Sequence, residues 1–169
     1  RIECNSTVFE NAGTSKSEGV EIEVQTKISE ALQFDLSASY GEAIFTEDTS
    51  LGDKGDNLPG SADFNVSIGL EYGFALGGYD AFTRVDYSYL SEYYHTVAEV
   101  GQASGGYGQV NLKTGLNIGA ATIDLFVNNL NDANGFTWVE TVWSAAVGSN
   151  RAYRIRPRTV GMNISYNFD

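Results

Sequence analysis

The sequence predicts an all-β protein, an antiparallel meander of about eight strands, and three observations carry that prediction. Apolar and polar residues alternate with a period of two along most of the 169 residues. Helical signals are weak, since Gly, Ser, Thr, Asn and aromatic residues stand where a helix would favour Ala, Leu, Glu and Lys. The alternating segments are separated by connections that are short and long in turn.

Each predicted strand places apolar side chains at every second position. The first, for example, alternates Val20 and Ile22 with Glu21 and Glu23. An eighth and poorer segment is predicted over residues 7–9. The seven clear segments cover residues 20–28, 32–40, 64–72, 81–89, 110–118, 121–127 and 160–168.

The two faces of these strands differ in charge. The apolar face carries no charged residue, whereas the other face holds Glu21, Glu23, Lys27, Asp35, Glu71, Arg84, Asp86, Lys113 and Asp124. Unpaired charges in a dry core cost several kcal/mol each, so the charged face is expected to line water. The alternations persist for about nine residues, longer than most soluble strands and near the length of a tilted membrane strand. Lipid is therefore the predicted partner of the apolar face.

The connections predict how such a transmembrane β-barrel is oriented. The short ones are residues 29–31, 74–80 and 119–120, and the long ones are residues 41–63, 90–109 and 128–159. Outer-membrane barrels have tight periplasmic turns and long extracellular loops. The pattern predicts a protein of a Gram-negative outer membrane with its C-terminus in the periplasm.

Composition excludes several classes of function. The net charge is −12 and no basic face exists, so nucleic acid is not an expected partner. The lone Cys4 and the absence of Cys/His spacing predict no metal site and no cofactor. No apolar run is long enough for a transmembrane helix, and no signal peptide is recognisable. Because the chain begins at Arg1, it is expected to be a piece of a longer polypeptide.

The sequence predicts no catalytic residue. Glu21 and Glu23 share a strand face, but neither has an apolar neighbour there to raise its pKa, so they are expected to line the lumen. His95 lies near Ser91 and Glu92 without the strand-turn-helix setting of a hydrolase. The protein is therefore not expected to be an enzyme.

The best ligand-binding candidates are aromatic residues in the long loops, because large exposed rings mark contact surfaces. The alternative is that these rings only pack loop against loop. Arginines near the last strand, at positions 151, 154, 156 and 158, are candidate contacts for an anion. The aromatic candidates are Tyr93, Tyr94, Tyr107, Phe136, Trp138, Trp143 and Tyr153, and Arg151 is the first of the cationic ones.

Several motifs, in order, resemble those of TonB-dependent outer-membrane receptors. The asparagine-alanine-glycine of residues 11–13 and the glycine-valine-glutamate series of residues 18–24 resemble a hairpin of that family. Residues 58–61 resemble the loop before a late barrel strand, and residues 127–132 resemble its asparagine-leucine-x-aspartate element. Residues 156–168 are similar to its last strand.

This resemblance implies a barrel of about 22 strands closed around an N-terminal plug. Such a receptor imports a scarce ligand, for example a siderophore or a carbohydrate, with energy supplied by TonB. Residues 1–169 would then be the C-terminal segment of the barrel, with the plug and the earlier strands absent. The implied partners are outer-membrane lipid, a small-molecule ligand and the TonB complex, the last through the missing N-terminal region.

The final strand also resembles the signal that the barrel-assembly machinery recognises. The residues that carry this likeness are Gly161, Ile164, Tyr166 and Phe168. An unpaired strand edge can template another strand, which is the physical basis of such recognition. The alternative is an ordinary membrane strand.

Two other architectures remain open at this stage. A complete eight-stranded outer-membrane barrel, serving as an anchor or adhesin, would pair its first and last strands. A soluble glycan-binding β-sandwich would bury the apolar face between two sheets.

Overall fold

The computed structural model describes residues 2–3, 6–7, 11, 13–97, 99, 101–140 and 151–168, and its regular structure there is all β. In this part of the chain no helix has the length and apolar character needed to cross a membrane. The strands are β1 (Ile2–Glu3), β2 (Ser6–Thr7), β3 (Ser15–Lys27), β4 (Leu32–Phe45), β5 (Phe64–Leu76), β6 (Tyr79–Leu90), β7 (Tyr107–Ile118), β8 (Ala121–Asn128), β9 (Phe136–Glu140), β10 (Arg151–Arg154) and β11 (Thr159–Tyr166).

Seven of these strands form one antiparallel meander, in the order β3-β4-β5-β6-β7-β8-β11. These are the seven clear segments of the sequence, and the predicted fold class is confirmed. The poorer eighth segment is not part of the sheet: Thr7 lies in β2, which pairs with β1, while Val8 and Phe9 lie outside the described residues.

The register aligns apolar residues into continuous rows on one face. Val24, Leu36, Ile68, Tyr87 and Val110 are direct partners across five adjacent strands. This face, called the outer face, is largely uncovered, and Ile22 and Ile164 are 53% and 65% exposed. The period-two pattern thus leaves a sheet whose apolar outer surface no other described part of the chain covers, as a lipid-facing wall requires.

The charged face, called the inner wall, has an equally regular register. Gln25, Asp35, Gly69, Asp86 and Asn111 form the row adjacent to the apolar one. The polar and charged residues therefore share a single surface, as the alternation predicts.

Aromatic residues lie near both ends of the outer face. Phe64 and Tyr89 are neighbours at one end, with ring centroids 6.2 Å apart, and Tyr72 and Phe74 stack at 5.9 Å at the other. At about 3.3 Å per residue and a tilt of about 40°, the stretch from Phe64 to Tyr72 covers roughly 20 Å along the membrane normal. The apolar band between the aromatics therefore matches the hydrocarbon layer of an outer membrane.

Short and long connections alternate, as predicted. The turn between β5 and β6 is Gly77-Gly78, with φ of 61° and 87°, the left-handed pair that a two-residue hairpin favours. The long connections are residues 46–63, 91–106 and 129–158. The last of these was expected to be a loop, but the structure places the β9–β10 hairpin within it, whose strands of five and four residues are too short to give a clear alternation.

The sheet is open. Among the described residues β3 pairs only with β4, and β11 pairs only with β8. A complete eight-stranded barrel would join these edges, and a β-sandwich would cover the outer face. The observed wall fits neither alternative.

Candidate functional site

Three long connections meet at the end of the sheet opposite the short turns. Gly60 N donates to Tyr94 O at 2.7 Å, which joins loop 46–63 to loop 91–106. Gly105 N donates to Phe136 O at 2.9 Å, which joins loop 91–106 to the β9–β10 hairpin. The connections therefore form one continuous group over the mouth of the wall.

Aromatic rings from two of these connections pack together at the centre of this group. The His95 ring lies 4.1 Å from the Trp138 ring and 5.1 Å from the Tyr93 ring, centroid to centroid. Tyr93 Oη donates to Thr137 O at 3.2 Å. The contact is thus both apolar and hydrogen-bonded, and it ties loop 91–106 to β9.

The local backbone explains how His95 reaches this position. Tyr93 and Ser104 exchange two backbone hydrogen bonds of 2.9 Å, so the loop doubles back on itself. Gly105 follows with φ of 74°, and a Cβ there would collide with Ser91 O, so glycine is required. This fold places the fully buried Ser104 hydroxyl 2.8 Å from His95 Nε2.

Partial burial favours the neutral form of His95. Its surroundings withdraw the imidazole from water, which lowers the pKa of His95 below its ordinary value. The ring is therefore neutral at neutral pH, and it pairs with Ser104 by a neutral hydrogen bond.

The β9–β10 hairpin presents a second aromatic pair toward solvent. Trp138 and Tyr153 are direct cross-strand partners and are 48% and 57% exposed. Arg151 is exposed on the same strand as Tyr153. Arg154 lies over the Phe136 ring at 4.5 Å. Flat rings beside guanidinium groups can bind ligands that are planar, ring-containing or anionic.

The structure separates the predicted ligand residues into two groups. Trp138 and Arg151 are exposed, whereas Tyr93, Tyr94 and Tyr107 are half-buried. The Tyr107 ring packs over Gly135, at the base of the hairpin. Trp143 lies outside the described residues.

Sequence reasoning missed the role of His95 and Ser104 in joining the loops. From the sequence, His95 is a candidate only for a catalytic group, and Ser104 carries no recognisable signal. Their contact to each other and to Trp138 depends on how separate connections fold together, so no local pattern signals it.

The inner wall contains an ion cluster centred on Arg84. Its Nη1 lies 2.8 Å from Asp35 Oδ2 and 3.8 Å from Glu71 Oε2, and its Nη2 lies 2.8 Å from Asp86 Oδ1. A Cβ on Gly69 would collide with the guanidinium, so the missing side chain makes room for it. Arg84 thereby bridges β6 to β4 across the glycine of β5.

Two phenylalanines on the inner wall occupy similar recesses. Phe82 lies over its direct partner Gly115, and Phe126 lies over its direct partner Gly161. A Cβ on either glycine would collide with the ring. Both rings thus cover backbone rather than project into the lumen.

Lys113 and Asp124 form the other inner-wall ion pair, at 3.1 Å. Asp124 Oδ1 is buried and has no hydrogen-bond partner among the described residues. No group of three or more His, Cys, Asp or Glu side chains in the described ranges is arranged to hold a metal ion.

The residues of the predicted assembly signal lie on the edge strand β11 and just beyond it. Ile164 projects from the outer face, and Gly161 lies beneath Phe126 on the inner wall. The Tyr166 and Phe168 rings meet edge to face at 4.8 Å, at the same end as the short turns. The packing under Phe126 is a sufficient structural reason for glycine at position 161.

These features define the chain as part of the wall of a transmembrane β-barrel: an open antiparallel meander with an apolar outer face, a charged inner wall and loops joined at one end. The family model described as TonB dependent receptor-like, beta-barrel, matches residues 2–130. The chain belongs to this family, and the resemblance seen in its motifs is confirmed.

A solved structure supports the same fold. The ferric yersiniabactin uptake receptor FyuA from Yersinia pestis superposes with a TM-score of 0.83 over 94% of this chain, at 21% sequence identity. The chain covers 24% of the length of that receptor. No curated protein sequence matches the chain significantly.

Proposed function

We propose that the chain is the C-terminal barrel segment of an outer-membrane receptor that binds a small ligand and imports it with energy from TonB. The observation that carries this proposal is the match of residues 2–130 to the receptor barrel family. The open edges of the sheet support it, because a segment of a larger barrel needs a partner strand on each side. In this proposal the plug and the earlier strands belong to the part of the receptor that precedes Arg1.

The proposed orientation places the C-terminus in the periplasm. Tyr166 pairs with Ala121 next to the turn at residues 119–120, so the chain ends on the side of the short turns. Long loops face outward in outer-membrane barrels, and the aromatic loop residues then face the external medium.

Ligand binding is proposed for the exposed part of the loop group. Trp138, Tyr153 and Arg151 combine ring surface with positive charge, which suits a siderophore, and the rings alone suit a sugar. Trp143 remains a proposed ligand-binding residue because it is an aromatic residue in a long connection of the sequence. Tyr93, Tyr94 and Tyr107 are less exposed, and their contribution is expected to be smaller. Passage is proposed to follow binding without chemical change to the ligand, and no cofactor is needed.

The proposed assembly role of the last strand rests on its free edge. In the described residues β11 uses one side to pair with β8, and its other side is available to a template strand. Gly161, Ile164, Tyr166 and Phe168 are the proposed recognition residues for the barrel-assembly machinery.

The transport proposal is tested with the intact receptor in a strain from which its gene has been deleted. Uptake is measured with a panel of ferric siderophores carrying radioactive iron and a panel of labelled oligosaccharides. We expect one probe to enter only when the receptor and TonB are both present. Uptake of no probe, or uptake that persists without TonB, would refute the proposal.

The site is tested with a double variant in the same strain. Trp138→Ala with Tyr153→Ala is expected to reduce uptake at low probe concentration. The matched control is Tyr79→Ala, which removes an equally exposed ring at a short turn on the opposite end of the sheet. Equal effects of the double variant and the control would exclude the hairpin as the ligand site.

A further inference from the structure

The β9–β10 hairpin is separate from the main sheet. It forms its own two-stranded sheet and pairs with none of the seven strands of the wall in the described part of the chain. Two-stranded hairpins are at best marginally stable alone in water. The position of the hairpin must therefore be set by contacts outside its own ladder.

Loop 91–106 supplies those contacts to three consecutive hairpin residues. Phe136 O accepts from Gly105 N, Thr137 O accepts from Tyr93 Oη, and the Trp138 ring packs against His95. The two hydrogen bonds to backbone carbonyls fix the position and direction of β9 relative to loop 91–106. The contact between the Trp138 and His95 rings fixes the rotation of β9 about its own axis.

The supporting side of this contact is itself well held. Ser104 is fully buried and lies within hydrogen-bonding distance of His95 Nε2, and its backbone pairs with that of Tyr93. A buried polar group that keeps its partner favours one arrangement over others, because any displacement leaves it unpaired. His95 is thus held by a contact within its own loop in addition to its contact with Trp138.

We infer that Tyr93, His95 and Ser104 are positioning residues, which together form a latch that holds the hairpin and presents Trp138 and Tyr153 toward the ligand. The Tyr93 hydroxyl and His95 Nε2 are already committed to protein partners, so ligand contact falls to the exposed pair on the hairpin. The latch stands on the geometry of the loops, while its effect on uptake rests on the proposed function.

The latch is tested by electron–electron distance measurements on the intact receptor in lipid nanodiscs. Spin labels are attached at Glu30, on a short turn, and at Ala152, on the hairpin, in a background in which Cys4 and any cysteine elsewhere in the intact receptor are replaced by serine; both sites are exposed. We expect a narrow distance distribution that broadens in Tyr93→Phe with His95→Ala. The matched control Tyr94→Phe removes a neighbouring hydroxyl and should leave the distribution narrow.

A rescue experiment separates positioning from general disruption. His95→Phe keeps a ring against Trp138 but leaves the buried Ser104 hydroxyl without its partner, so the distribution should broaden. His95→Phe with Ser104→Ala removes both polar groups and should restore the narrow distribution. A distribution that stays narrow in every latch variant, or a double variant that is no better than His95→Phe, would overturn the latch.

The effect of the latch on uptake, which is the functional half of the inference, is measured with the labelled probe that the intact receptor imports. Latch variants are expected to raise the half-saturating probe concentration about tenfold, equivalent to about 1.4 kcal/mol, with the maximal uptake rate unchanged. Broadened distances with an unchanged half-saturating concentration would refute the functional half. If no probe is imported, the proposed function fails, while the distance measurements still decide whether the latch exists.

Discussion

A charged side chain on the outer face should destabilise the receptor far more than a charged side chain on the inner wall. Ile68 lies on the outer face of β5, with Leu36 and Tyr87 as direct partners. It lies four positions from Phe64, at one aromatic end, and four positions from Tyr72, at the other. Ile68 therefore lies near the midplane of the bilayer, where replacement by arginine should be most costly.

The expected size of the effect follows from its depth. An arginine on the lipid face of a barrel costs about 2–4 kcal/mol at the midplane. At 1.4 kcal/mol per factor of ten, Ile68→Arg should raise the unfolding equilibrium constant by roughly 30-fold to 700-fold. The neighbouring Ser67 projects from the inner wall, so Ser67→Arg should cost little.

The two variants are compared by denaturant titration of the intact receptor folded into phospholipid vesicles, with tryptophan fluorescence as the signal. Each variant is measured against the unmodified receptor under identical conditions. If Ser67→Arg proves as destabilising as Ile68→Arg, the assignment of lipid and water to the two faces is wrong.

Three further perturbations address the inner wall and the loops. Gly161→Val should destabilise the receptor by about 1–3 kcal/mol in the same titration, because its side chain would displace the Phe126 ring; an unchanged midpoint would contradict that packing. Gly69→Val should displace Arg84 from its carboxylates, so Arg84→Met should cost measurably less in the valine background than in the glycine one; equal costs in a double-mutant cycle would show that the bridge does not depend on the glycine at position 69. Burial lowers the pKa of His95 when the hairpin is docked, so His95 binds a proton more readily when the hairpin is undocked, and docking should weaken as pH falls below about 6.5. The spin-label distances should then broaden on acidification in the unmodified receptor but not in the variant with His95→Phe and Ser104→Ala, and a distribution independent of pH would refute this.

The strands were predictable because lipid on one side and water on the other impose a strict period of two. The full lengths of the strands were not predictable, and β4 shows the reason. It continues to Phe45, where Ala43 and Phe45 are buried on the side that is polar farther down the strand. Loop 46–63 covers them there, with Leu58 N donating to Ala43 O. Beyond the bilayer the apolar partner is a loop, so the pattern reverses and the alternation no longer marks the strand.

The loop site was predictable in composition but not in arrangement. Aromatic residues in long connections indicate a contact surface, yet the same composition fits Tyr107, which packs over Gly135, and Trp138, which is exposed. Which rings pack and which project depends on contacts between connections that are distant in sequence. The inner-wall Phe126 presents the same difficulty, since its fit over Gly161 becomes visible only once the register of β8 and β11 is known.

Arg84, which spans β5, also favours one alignment of β4, β5 and β6 over the others. Sliding β4 or β6 by a single residue would move a carboxylate about 3.3 Å along the sheet and turn it to the opposite side. Because Arg84 lies on β6, a shift of either strand would separate it from Asp35 on β4, whereas Asp86, on the same strand as Arg84, would stay beside it. The ion cluster lies on the water-facing inner wall. Its formation therefore does not require that lipid already surrounds the outer face. Correct alignment of these three strands is thus favoured even while the wall is still being inserted.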